Sequence, residues 1–168
     1  MIASRLKAFL EREGVKYTTA PHALTYTATQ TAQAAHVPSK EFAKAVMVMI
    51  DGRPAMAVLT ASEKLDLAKL KQAAGAKHAY LAPEEEFDRW FPGCEPGAMP
   101  PFGNLYGMAV YVSRTLAADE EIAFNAGSHA EAMKIKYKDY ERVVQPVVTK
   151  LAADAQPFGE GPRSCLRS

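Results

Sequence analysis

The side chains able to do chemistry are few and far apart. Lys44 interrupts the apolar run Ala43–Ile50, and a lysine is almost never fully buried without a partner. Its amine either snorkels to water from a strand end or points into a pocket and meets an anion. Asn125-Ala-Gly-Ser-His129 is a polar turn between two apolar stretches, and polar groups in such turns commonly serve sites. Asn125, Ser128 and His129 are its candidates. Cys94 is a conceivable nucleophile, but no base that would orient it is identifiable. His22, His36 and His78 are scattered, with no Cys/His spacing that would hold a metal. No Walker A, G-x-S-x-G or dinucleotide fingerprint is present. The expectation is therefore chemistry without metal, thiol or cofactor.

Backbone offers a further resource. Residues 91–107 hold four of the ten glycines and four of the eleven prolines. Proline fixes φ and removes a donor, whereas glycine permits φ > 0 and close approach. The stretch predicts a stiff loop of one shape, with bare backbone facing a ligand. Its tightest part is Gly97-Ala-Met-Pro-Pro101, a G-x-x-x-P. Met99, Phe102, Leu105 and Tyr106 make it too apolar for a free linker.

The 168 residues suggest one domain, over residues 1–153, with a polar, Gly/Pro-rich mobile tail at 154–168. A net charge of +1 gives no global basic signal, so a nucleic-acid partner must meet a local patch. Lys134, Lys136 and Lys138 alternate, which on a strand puts all three on one face. That stripe either guards a sheet edge or contacts phosphates. No apolar run approaches the roughly 18 residues that span a membrane. With no signal-peptide pattern and no disulfide framework, the cytosol is the plain inference.

The elements that must position these groups are legible in outline. Ile2, Leu6, Phe9 and Leu10 predict an amphipathic helix over 2–13, stopped by Gly14. A short strand follows over Val15–Thr19, closed by Pro21, then a helix from the capping box Thr27–Gln30 to about Ala35. Two apolar runs flanking Asp51-Gly52 predict a β-hairpin. Asp66 caps a helix that Gly75 ends, His78–Leu81 is a short strand, and Pro83 opens a helix burying Phe87, Trp90 and Phe91. Strands are expected over Met108–Val112 and Glu121–Phe124, joined by a turn near Asp119. An edge strand is expected at Met133–Lys136, then helices over Asp139–Val144 and Pro146–Ala153. Strands arriving as hairpins favour α+β over a doubly wound α/β fold.

Taken in order, Phe42-Ala-Lys-Ala-Val-Met-Val48, Lys64-Leu-Asp-Leu67, Gly97-Ala-Met-Pro-Pro-Phe-Gly103 and Phe124-Asn-Ala-Gly-Ser-His129 resemble the YbaK / prolyl-tRNA-synthetase-associated domain, the trans-editing aminoacyl-tRNA deacylases. The resemblance covers about residues 15–145. It implies a mixed, mostly antiparallel sheet curled toward a barrel and surrounded by helices. It implies hydrolysis of the ester between a wrong small amino acid and a tRNA, chiefly tRNA for proline. It also implies a free-standing editor, with aminoacyl-tRNA and prolyl-tRNA synthetase as its partners. Lys44 matches the family's strand lysine, Gly97 and Pro101 its G-x-x-x-P loop, and Asn125 or His129 its remaining polar position. Met47, Met99, Phe102, Gly103 and Ser128 are expected around the substrate. An aminoacyl ester is already activated, so placing a water and holding the carbonyl oxygen can suffice. A non-catalytic module holding an amino acid or an RNA end is the alternative.

Overall fold

The computed structural model describes residues 4–21, 32, 37–91, 94, 98–128 and 130–153. Helix α1 (Ser4–Arg12) buries Leu6, Phe9 and Leu10 on one face. It ends where its pattern ends: Gly14 takes φ 70°, and the N–H groups of Gly14 and Val15 return to the carbonyls of Glu11 and Leu10. That is a Schellman close, available to glycine without a Cβ penalty. Strand β1 (Thr18–Pro21) begins later than the sequence suggests and includes Pro21. The helix expected from Thr27 lies outside the described residues except at Ala32, as does the expected tail.

The central hairpin forms as the Asp-Gly signal predicts. Strands β2 (Phe42–Ile50) and β3 (Arg53–Thr60) pair antiparallel in register from Ala43↔Thr60 to Ile50↔Arg53. Asp51 and Gly52 both take positive φ, 49° and 82°, the turn whose twist matches the strands. Helix α2 (Leu67–Ala74) is capped by the Asp66 carboxylate, which accepts from the N–H groups of Ala68 and Lys69 at 2.9 and 3.2 Å, and is closed by Gly75 at φ 64°. Strand β4 (Ala79–Leu81) and the short helix α3 (Glu84–Phe87) lead into the loop. Phe91 is buried beyond them, while Phe87 and Trp90 are only partly so.

Beyond the loop the chain departs from the expected hairpins. Strand β5 (Ala109–Ser113) passes into a short helix α4 (Arg114–Ala117) before strand β6 (Glu121–Asn125). β5 and β6 do not pair; they lie parallel to β3 and β2 respectively. Strand β7 (Glu131–Lys136) is interior, between β1 and β6, rather than an edge. Helix α5 (Tyr137–Val144) follows it directly. Residues Val147–Thr149 form strand β8, parallel to β5, where a helix was expected. A β-branched Val-Val-Thr run fits a pleated surface better than a helix.

The fold is thus α+β, with one mixed sheet in the order β1-β7-β6-β2-β3-β5-β8 and β4 added on β2. Among the described residues four pairings are antiparallel and three parallel, so the antiparallel excess is slight. The path ends at β1 and β8, with no pairing between them among the described residues.

The two faces of the sheet differ. One carries the main core, where Met47, Met56, Val58, Phe102, Phe124 and Met133 pack with α1 and α5. The other carries two smaller clusters, one around Val48, Leu59, Leu70 and Leu151, the other around Phe42, Ala61, Ala123 and Ala132.

Candidate functional site

Alternation along β2 decides where Lys44 points. Met47 faces the main core with its partner Met56; Lys44, of opposite parity, shares the other face with Phe42, Val46 and Val48. It falls between the two small apolar clusters there. Its amine donates to the Ala61 carbonyl at 3.3 Å. Burial lowers its pKa, the Glu63 carboxylate pushes it back up, and the Lys64 ammonium lowers it further. Glu63 is itself held in place, its Oε1 accepting from the Thr60 N–H at 3.0 Å.

The backbone around Lys44 is unusual for a central strand. β6 borders β2 at Phe42 and Ala43, and β4 borders the same edge only from Val48 onward. Between them, residues 44–47 have no strand partner on that edge among the described residues, although the Met47 carbonyl accepts from Ala82 N–H at 3.0 Å. The result is a notch in the sheet beside Lys44.

Asn125 stands at the rim of this notch. The pairs Phe42↔Ala123 and Ala43↔Phe124 set the parallel register, and one step further brings Asn125 level with Lys44 on the same face. Its Oδ1 is buried and has no hydrogen-bond partner among the described residues. A buried acceptor left unpaired costs about 1–3 kcal/mol, so it marks a place where a donor is wanted. The turn beyond it is stiff. Gly127 takes φ 103°, the Ser128 hydroxyl accepts from Ala130 N–H at 3.0 Å, and Ser128 is buried. His129 lies outside the described residues.

The glycine–proline loop reaches the same turn. Gly127 N–H donates to the Ala98 carbonyl at 3.0 Å, tying the second residue of the G-x-x-x-P motif to the end of β6. Gly97 lies outside the described residues. Pro101 works as an anchor: the buried Tyr140 hydroxyl donates to its carbonyl at 2.7 Å, and Phe102 N–H closes back on the Pro100 carbonyl at 2.8 Å. The three-residue turn around Pro101 uses the φ that proline already has.

The structure therefore sets Asn125 level with Lys44 in register and ties the turn that follows Asn125 to Ala98. It sets Met47, Met99, Phe102 and Gly103 apart, in the main core on the opposite face. The Phe102 ring meets Phe9, Phe124 and Tyr140 edge-on, with centroids 6.2, 5.4 and 5.3 Å away. A Cβ on Gly103 would sit 3.1 to 3.3 Å from Val110, Met108 and Met56, so packing explains that glycine. The three expected basic residues also part. Lys134 and Lys136 share a face of β7, with Lys134 3.6 Å from Glu121, but Lys138 belongs to α5. Cys94 packs against the main core: it lies 3.9 Å from the Tyr106 hydroxyl, and burial raises its pKa, which keeps the thiol protonated.

Sequence reasoning missed the turn Ala61–Lys64, which supplies both the carbonyl and the carboxylate near Lys44. Its signal was the polar Ser62-Glu-Lys64 immediately after an apolar strand.

Comparison with known proteins places the chain in a family. The family model described as the aminoacyl-tRNA editing domain matches residues 22–143. A protein of Escherichia coli K12 named multifunctional Ser/Thr-tRNA deacylase ProXp-y is 30% identical over 148 residues, covering 84% of this chain and 87% of its own length. Among solved structures, one described as a candidate trans-editing enzyme for prolyl tRNA synthetase superposes with a TM-score of 0.77 at 23% identity, covering 90% of this chain and 97% of its own. Hypothetical protein APE2540 superposes with a TM-score of 0.80 at 17% identity, covering 89% and 100%. At those identities the two structures speak to the fold alone.

Proposed function

Because this chain belongs to the aminoacyl-tRNA editing domain family of YbaK- and ProXp-type trans-editing deacylases, we propose that it hydrolyses the ester between a small mischarged amino acid and a tRNA, tRNA for proline first. The observation that carries this reading is the notch: a half-buried ammonium and an unpartnered buried amide oxygen on one face, at a gap in the sheet bordered by the loop.

In the reaction, water adds to the ester carbonyl, and the carbon–oxygen bond to the terminal ribose then breaks. The ribose oxygen leaves with a proton, and the amino acid departs as its carboxylate. Lys44 supplies positive charge to the carbonyl oxygen, which becomes negative as water adds, or to the constant charge of the adjoining phosphate. Such a group is worth more in a partly desolvated site than in water. Asn125 Oδ1 accepts a hydrogen bond from the substrate's amino group or from a ribose hydroxyl. The turn and the Ala98 end of the loop bound the side-chain pocket, which admits small residues and rejects larger ones by size.

The test is a panel of tRNAs mischarged with serine, threonine, alanine or cysteine, followed under single turnover. Serine and threonine are tried first, because the Escherichia coli relative is named a Ser/Thr-tRNA deacylase. Hydrolysis above the spontaneous rate for at least one, and its loss in Lys44→Met, is the expected result. Tight binding of the mischarged tRNAs without turnover of any would replace the enzyme by a binding module.

A further inference from the structure

Next to the notch lies a cleft of ≈ 690 Å³ that the ester chemistry does not use. Among the described residues its walls carry Lys64, Lys69 and Lys150, with Glu63 as the carboxylate and the hydroxyls of Ser62, Ser113 and Thr115 between them. Glu63 already serves the Thr60 N–H. The described lining therefore holds more ammonium groups than carboxylates, in a chain whose net charge is +1. The cleft is also rigidly built. Asp66 N–H donates to the Leu151 carbonyl and Ala153 N–H to the Lys64 carbonyl, each at 2.8 Å, with Leu65 and Ala152 bridged between them. Lys69 is pinned on the floor, its amine donating to the Ala152 carbonyl at 2.8 Å, whereas Lys64 and Lys150 stand exposed above it.

We propose that this cleft is a phosphate-binding track for the RNA strand whose aminoacylated end lies at Lys44. The placement rests on the deacylase reading above, and continuity supports it. The turn Ala61–Lys64 is the shared wall, since its Ala61 carbonyl holds the Lys44 amine while Ser62, Glu63 and Lys64 line the cleft. An esterified 3′ end seated at Lys44 therefore meets fixed positive charge and hydroxyl donors as soon as its backbone passes that turn. The sequence-based alternative, the lysines at 134, 136 and 138, is weaker. They do not share one element, and Lys134 lies beside Glu121. Ammonium groups that contact phosphates release counterions, by about 0.7 in the log–log salt slope for each phosphate on a single strand. Three contacts thus predict about two units of slope.

The experiment measures binding of a non-aminoacylated RNA minihelix with a single-stranded 3′ tail as salt is varied fourfold. It compares wild type, Lys64→Gln/Lys69→Gln/Lys150→Gln, and Lys134→Gln/Lys136→Gln/Lys138→Gln. The cleft variant is expected to lose about two units of slope, so its affinity changes about 16-fold less than wild type over that range. The second variant is expected to keep the wild-type slope. Lys64→Gln and Lys150→Gln singly, at exposed positions, guard against misfolding and should each remove about a third of the effect. An unchanged slope in the cleft variant, or loss in the other triple instead, would overturn the proposal. Because the RNA carries no amino acid, failure of the protein to hydrolyse any ester would sink the deacylase reading without moving this measurement.

Discussion

Lys44 is oddly placed for a strand residue, and the two accounts of it separate in activity rather than in stability. If its charge serves only the fold, Lys44→Met is neutral or stabilising and harmless, because the apolar stem stays and the desolvation of an ammonium disappears. If it stabilises the reacting ester, the same change leaves circular dichroism unaltered and lowers single-turnover deacylation by about 10²–10³-fold. The lowered pKa of Lys44 adds a pH signature. In the folded state its proton is held less tightly than at 10.5 in the unfolded chain, so stability rises as pH climbs from the lowered value toward 10.5. Activity that needs the charge falls across that same window. The ratio of wild-type to Lys44→Met turnover, after subtracting spontaneous hydrolysis, should decline there, and a flat ratio would remove the charge from the mechanism. Asn125 gives an independent check. Asn125→Leu removes an unpaired buried acceptor, so it should hold or raise the melting temperature while lowering turnover. A drop in stability with full turnover would make Asn125 a fold residue. Lys44 and the Asn125 turn were visible in the sequence because each breaks a local rule. That Lys44 and Met47 point to opposite faces was equally available from their odd spacing along one strand.

The elements explain how the described end of the loop, residues 98–107, is held. Its end is held by aromatic packing around Phe102, worth about 0.5–1.5 kcal/mol per ring pair beyond burial, and by the Tyr140 hydroxyl on the Pro101 carbonyl. Tyr140→Phe keeps the ring and deletes only that donor. It should cost about 1–3 kcal/mol through the carbonyl left unpaired, seen as a lower melting temperature. Turnover at a temperature where the variant is fully folded should also fall, since Pro101 and Ala98 sit on one short segment. Unchanged turnover would uncouple the anchor from the site. Helix α1, the Asp51-Gly52 hairpin and helix α2 were legible because local chemistry dictates them: a 3.6-residue period, an Asp-Gly turn, an aspartate cap and a glycine stop. The strand order was not. Whether β5 and β6 pair as a hairpin or diverge to opposite sides of β2 and β3 depends on the crossover, and a single short helix, α4, hides that choice in four residues. The Val147–Thr149 run misled for a related reason: its partner β5 is distant in sequence, and no short-range pattern reveals a parallel edge.

At the scale of the whole molecule, the resources that the proposed reaction draws on are a cation, an amide and shaped backbone. Among the described residues no group of three His, Cys, Asp or Glu side chains is arranged to hold a metal ion. The one described cysteine, Cys94, has its pKa raised by burial and lies beside Tyr106. A thiolate nucleophile would need the opposite, a neighbour that lowers the pKa and a base to orient it. An aminoacyl ester needs neither, because its carbonyl is already activated and water is the only co-reactant in the balanced reaction. Turnover should therefore survive removal of both thiols in Cys94→Ala/Cys165→Ala, and it should survive exhaustive chelation. The measurement is single-turnover hydrolysis of whichever mischarged tRNA the panel identifies, with melting temperature as the control for the half-buried Cys94 position. Loss of turnover in the cysteine-free protein at an unchanged melting temperature would return the nucleophile to Cys94. Loss in chelator restored by zinc would show that the notch beside Lys44 is not a self-sufficient site.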